Sequence, residues 1–139
     1  MAGIRFTMPV SNVDLSSKVR NDPFTRLPHR IIFKICRLLY DENVPDLAKA
    51  SWAVHSITRD NGEFWKDSLK YNLVWFSEIQ ELMRLGALRR PEKYKAIYLW
   101  AIKIWTKNGM EGPIMHVANR RRIWLICDQL SESYWAGQY

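Results

Sequence analysis

The side chains able to act as metal ligands, bases or nucleophiles are few and scattered. His29, His55 and His116 stand alone, with no partner at i+3 or i+4 of metal-ligand type. Cys36 and Cys127 form no CxxC and lie inside separate apolar runs, which suits two buried, reduced thiols better than a disulfide. The six glycines make neither a GxGxxG nor a Walker pattern, so no phosphate loop is encoded. Asp41, Glu42 and Asp46 fall in a polar break and read as a solvated loop rather than an acid–base pair. Two basic clusters remain: Arg89-Arg90 with Lys93 and Lys95, and Arg120-Arg121-Arg122. Basic side chains beside Trp and Tyr would suit a single-stranded nucleic acid. However, Trp100, Trp105 and Trp124 share faces with aliphatic residues, which assigns them to a core, and the clusters themselves read as solvated faces. A small basic helical module binding nucleic acid through 89–122 is therefore the alternative reading, and neither catalysis, metal nor cofactor is expected.

The element that organises the chain is the stretch 27–40, Leu-Pro-His-Arg-Ile-Ile-Phe-Lys-Ile-Cys-Arg-Leu-Leu-Tyr. Pro28 suits the first turn of a helix, where its missing N–H costs nothing. On a helical wheel Leu27, Ile31, Ile32, Ile35, Leu38 and Leu39 form one arc, and Phe33, Cys36 and Tyr40 extend it onto the back. Only Arg30, Lys34 and Arg37 make a charged stripe. The apolar arc takes roughly two thirds of the wheel, wider than a one-sided surface helix requires. Such a helix needs burial on two sides. The chain's own core supplies one, and a partner protein is the candidate for the other.

A chain of 139 residues with 47% hydrophobic content can form one domain with a real core. Its seven Trp argue against disorder along most of its length. The net charge of +7 sits late: residues 66–139 carry twelve Lys/Arg against seven Asp/Glu, residues 1–65 nine against seven. That excess permits an acidic partner without demanding one. No segment approaches the length of apolar sequence that spans a membrane, and Arg5, Pro9 and Asn12 interrupt any secretory signal. A cytoplasmic or nuclear protein is expected.

The fold class expected is all-α. Residues 1–22 read as a loose tail, with Asp22-Pro23-Phe24 as the turn into ordered structure. Short helices follow up to about residue 70, with Pro45 in a first turn and Asn61-Gly62 as a break. Trp75, Phe76, Ile79, Leu82 and Met83 share one helical face, and Ser77 with Gln80 is spaced as a capping box. Gly86 either ends that helix or is a small residue at a crossing. Pro91 opens a longer helix, with Tyr94, Ile97, Tyr98, Ala101, Ile102 and Trp105 on one face, which ends at Asn108-Gly109. The apolar run 123–127 fits helix or strand, and its helical surroundings favour helix.

Residues 27–66 resemble the F-box motif. Leu27-Pro28 opens it, Ile31, Ile32 and Ile35 keep its branched apolar spacing, and Leu39 closes the first helix. A polar break, Leu47 on a second helix, Ala50-Ser51 and the pair Phe64-Trp65 complete it. Ala50-Ser51-Trp52 followed by Arg59-Asp60-Asn61 and Phe64-Trp65-Lys66 is most similar to F-box proteins of filamentous fungi. Arg30, Asn43-Val44 and Ala50 depart from the pattern in charge or size while the apolar spacing is retained. The resemblance implies an F-box domain over 24–70 and a helical extension over 71–139. It also implies a Skp-type adaptor as partner, and through it a cullin–RING ubiquitin ligase acting on a protein substrate the sequence does not name. The adaptor-facing set it implies is Leu27, Pro28, Ile31, Ile32, Ile35 and Leu39, with Trp65 at the edge. No repeat of the WD40 or leucine-rich kind follows, so substrate selection falls to 71–139, or the chain is a shortened relative.

Overall fold

The computed structural model describes residues 14–107 and 115–137, and all regular structure among them is helical. A 3-10 turn, Pro23–Arg26, leads into α1 (His29–Leu38), α2 (Asn43–Ala50), α3 (Trp52–Thr58) and α4 (Gly62–Asn72). Three more helices follow: α5 (Ser77–Arg84), α6 (Pro91–Lys107) and α7 (Met115–Ala136). The run 123–127 is thus helix, within α7. The expected end of α6 at Asn108-Gly109 lies outside the described residues.

Side-chain caps set most of the boundaries. Asp22 caps the 3-10 turn through Phe24 N–H (3.0 Å) and also serves the start of α3, accepting from Ala53 N–H (3.0 Å) and the Ser51 hydroxyl (2.7 Å). Ser51 Oγ in turn accepts from Val54 N–H at 3.2 Å, the normal N-cap bond. The Ala53 N–H bond is the main reason the Asp22 carboxyl sits below its usual range; partial burial opposes it. Because the folded-state value is the lower one, this stabilisation is present above the unfolded carboxylate range and is lost as pH falls through the folded value. Asp22→Ala is therefore expected to cost about 1–2 kcal/mol at about pH 7 and much less at about pH 2, read from urea midpoints at the two pH values.

Asn61 caps α4 through Phe64 N–H at 3.0 Å. The next residue has to be small: a Cβ on Gly62 would lie 2.7 Å from Pro91 Cβ, where the first turn of α4 meets the first turn of α6. At the end of α5, Gly86 takes φ +65°, with Gly86 N–H on Met83 O and Ala87 N–H on Leu82 O. This is a Schellman ending, and it settles Gly86 as a helix stop. The capping box does not form: Phe76 occupies the N-cap position, and Gln80 Nε2 instead donates to Leu69 O and Leu73 O, closing the C-terminal end of α4.

The most extensive helix pairing is α4 against α6, with α1 packed on α4 and α2 beside α3. Buried Ile32, Cys36, Trp65, Leu69, Tyr98 and Val117 belong to one cluster, so the core runs across the expected division near residue 70. Rings continue through it: Phe33 to Phe64 at 5.1 Å, Phe64 to Trp65 at 5.1 Å, Trp65 to Tyr98 at 5.4 Å. Burial pushes the Cys36 thiol up to about 11, which keeps it protonated and unreactive. Cys127, expected to be buried as well, is exposed, because its part of α7 lies outside the core.

One polar network sits inside this apolar body. Asp41, between α1 and α2, is buried and takes a bidentate pair from Arg121 of α7, Nε at 2.9 Å and Nη2 at 2.5 Å. Trp75 Nε1 donates to the same carboxylate at 2.8 Å, and Glu42 N–H at 2.8 Å. Tyr98 of α6 donates its hydroxyl to the Asp41 carbonyl at 2.7 Å. Burial, and next the Asp41 charge, raises the Tyr98 phenol well above its usual range, so it remains a donor. The sequence reading of Asp41 as a solvated loop residue and of Arg121 as part of a solvated basic face is corrected here. Each charge is taken out of water because the other meets it there.

Candidate functional site

α1 has an inner and an outer row. Ile32 and Cys36, four residues apart, point into the core, and each is 1% exposed. Ile31, Ile35 and Leu38 follow i, i+4 and i+7 along a second row, about 110° round the helix from the first. Ile31 is 42% exposed, Ile35 half-buried and Leu38 87% exposed. Pro28 is exposed at the N-terminal end of the row, and Tyr40 is exposed just past its C-terminal end. Leu27 and Leu39 are half-buried against the chain's own core.

Local structure explains why this row stands clear. Ile31 N–H and Ile32 N–H both bond Pro28 O, so the helix begins immediately after the proline. At the other end Asn72 Nδ2 donates to Cys36 O (2.9 Å) and Leu39 O (2.8 Å). These bonds take up carbonyls that the end of a helix leaves free. The helix therefore stops at Leu38, two residues before the apolar stretch ends, and Leu39 turns into an extended conformation. Beside the row, Arg37 pairs with Asp67 at 2.5 Å and lies over the Tyr71 ring at 4.5 Å. α1 is thereby held to α4 at its polar margin as well as through its core row.

Two of the seven sequence-derived contact residues are corrected. Ile32 is in the core, and so is Trp65, 3% exposed. The Trp65 indole N–H is spent internally on Thr58 O at 2.6 Å, at the end of α3. Neither offers surface to a partner. The residue missing from that set is Leu38. Its place on the wheel beside Ile31 is the signal for it, whereas the motif marks the neighbouring leucine, Leu39.

Near the N-terminal end of the row, an open groove of about 330 Å³ runs between the 3-10 turn and α3. Val19, Phe24, Leu27, His29, Trp52 and Ile57 are among its lining residues. Among the described residues, no group of three His, Cys, Asp or Glu side chains is placed to hold a metal ion. No described helix is long and apolar enough to cross a membrane.

The basic clusters of the alternative reading are divided by the fold. Arg121 is buried on Asp41, and Arg120 reaches back to Glu78 (2.7 Å) and the Ser77 hydroxyl (2.7 Å). The Arg120 hydrogen bond holds the Glu78 carboxyl below its usual range. Three consecutive arginines on a helix point in three directions, and here Arg120 and Arg121 are drawn to different acidic partners within the protein. Trp124, expected in the core, is exposed on α7, while Trp100 packs against Phe76 at 6.0 Å. The Trp105 side chain lies outside the described residues.

The chain is an all-α protein with an uncovered apolar row on its first helix. No protein family, no curated protein and no solved structure matches it.

Proposed function

We propose that this chain is an F-box-type subunit of a ubiquitin ligase, working in the cytoplasm or nucleus. The outer row of α1 docks on a Skp-type adaptor, and the adaptor links it to a cullin–RING ligase. The observation that carries this reading is the row Ile31, Ile35 and Leu38 directly after Leu27-Pro28, exposed at Ile31 and Leu38 and half-buried at Ile35, while Ile32 and Cys36 of the same helix are sealed in the core. The short packed helices of 27–72, in the order the motif requires, support it. In this role the protein makes and breaks no bond. It holds a second protein close to the ubiquitin-charged enzyme and raises its effective concentration. The surface for that second protein falls to α5, α6 and α7.

Leu38 and Ile31 are anchors by size and position. Each large aliphatic side chain fully desolvated contributes on the order of 1.5–3 kcal/mol, or roughly 10- to 100-fold in affinity. Ile31→Asp and Leu38→Asp are each expected to weaken capture of a Skp-type adaptor at least about tenfold, since both lose that burial and desolvate a charge. Both side chains are exposed, so thermal midpoint and far-UV circular dichroism are expected to stay at wild-type values. Adaptor capture by the folded variants equal to wild type, or no capture by wild type at all, would overturn the reading.

A further inference from the structure

A second uncovered apolar row lies on α7, remote in sequence from the first. Its fully buried residues, Val117, Ala118 and Arg121, all lie near its start, and on the same face Leu125 and Asp128 are half-buried. Off that face Ile123, Ile126, Leu130 and Tyr134 are each more than half exposed. With Cys127, also exposed, they occupy an arc of about 100° on the helical wheel. Their spacing, i, i+3, i+4, i+7 and i+11, is that of a coiled-coil seam. Trp124 and Trp135 flank one side of it, both exposed. The acidic residues of this half, Asp128 and Glu132, lie about 140° and 180° round the helix from Ile123, so pairing along the seam buries no charge.

We propose that this seam is a self-association surface, on which two copies of the chain pair through antiparallel α7 helices crossing near residue 128. Area sets the scale. Six large side chains, the four of the seam and the flanking Trp124 and Trp135, each covering on the order of 100 Å² of what they now expose, bury roughly 600 Å² per copy. Twice that is about the lower limit of standard interfaces, so the dimer is concentration-dependent rather than permanent. The antiparallel sense follows from where α7 is anchored. Its N-terminal part is tied to the body by Arg121 on Asp41 and Arg120 on Glu78. A parallel pair would force the two bodies, and both arginine triplets, together at one end. Antiparallel pairing puts them at opposite ends, with Ile123 of one copy beside Tyr134 of the other.

The test uses the full chain. Sedimentation equilibrium is expected to show the mass rising with concentration from 16.5 kDa toward twice that value. Ile126→Asp with Leu130→Asp is expected to hold it at the monomer mass with an unchanged helical spectrum. Thiol crosslinking supplies a second readout on the unaltered seam. A short bismaleimide is expected to join two copies through Cys127, near the crossing, while buried Cys36 stays unreacted. In a Cys127→Ser, Trp135→Cys variant the two thiols would lie about 20 Å apart, and the same reagent is expected to fail. A chain that stays monomeric at millimolar concentration overturns the proposal, as does a dimer indifferent to the two Asp substitutions. Efficient crosslinking through position 135 overturns the antiparallel arrangement. If the seam serves a different protein instead, the chain alone remains monomeric, which is the first of these negative results.

Discussion

Arg121→Ala is expected to destabilise the protein by about 3–5 kcal/mol, a large part of the 5–15 kcal/mol typical of a domain. The reason is what stays behind. Asp41 would keep the Trp75 and Glu42 N–H donors at 2.8 Å but lose its countercharge in a site sealed from water. An unpaired buried carboxylate costs far more than the pair contributes. The effect should be non-local. Arg121 ties α7 to Asp41, which lies between α1 and α2, so loosening here reaches the end of the helix that carries Ile31 and Leu38. Urea unfolding read by tryptophan fluorescence measures the loss. The double variant Asp41→Asn, Arg121→Met keeps an acceptor for the Trp75 N–H and removes both charges, and is expected to recover part of the stability. A loss below about 1 kcal/mol for Arg121→Ala would show the pair to be solvated in solution.

Trp65→Ala is the second large effect, about 3–5 kcal/mol, for a different reason. The ring sits between Phe64 and Tyr98, at 5.1 Å and 5.4 Å, where α4 meets α6. Truncation leaves a cavity where α4 packs on α6, which neighbours on two rigid helices can only partly fill. It also removes the indole N–H bond to Thr58 O at 2.6 Å, a carbonyl at the end of α3 that then keeps the longer Asn61 N–H bond at 3.3 Å. Trp65→Phe keeps most of the ring and loses the hydrogen bond, so a smaller cost of about 1–3 kcal/mol is expected. Thermal unfolding of the three proteins, with no adaptor present, separates the core role from a contact role. A Trp65→Ala variant as stable as wild type would return this residue to the surface set.

These two expectations contrast with the silence expected of Leu38→Asp on stability. Three large or charged residues that look equally prominent in the sequence thus divide into two that hold the fold and one that is free to be used.

Much of the architecture was legible locally. Pro91 starts α6, Asn61 starts α4, and the four-residue spacing of Ile31 and Ile35 marks a helix face; each is a consequence of backbone chemistry within a few residues. That α1 has apolar surface on two sides also followed from the wheel alone. Which row faces inward did not. Ile31 and Ile32 are chemically identical neighbours, and only the packing of α1 on α4 and the rest of the core buries one and leaves the other out. The same holds for the helix end at Leu38. It is set by Asn72, more than thirty residues later, whose amide reaches the carbonyls of Cys36 and Leu39. Ser77 and Gln80 have the spacing of a cap, but Ser77 Oγ accepts from Arg120 and the Gln80 amide closes the end of α4, partners that lie outside the local sequence.

What the chain by itself determined is its helices, their order and the surplus of apolar surface on the first of them, since these depend on residue type and short spacing. The tertiary structure alone decided which of those apolar residues are core and which are surface. It also turned Asp41 and Arg121, eighty positions apart, from two ordinary charges into the buried pair that closes the fold. Burial is a property of what lies opposite a side chain, and nothing within a few residues of it carries that information.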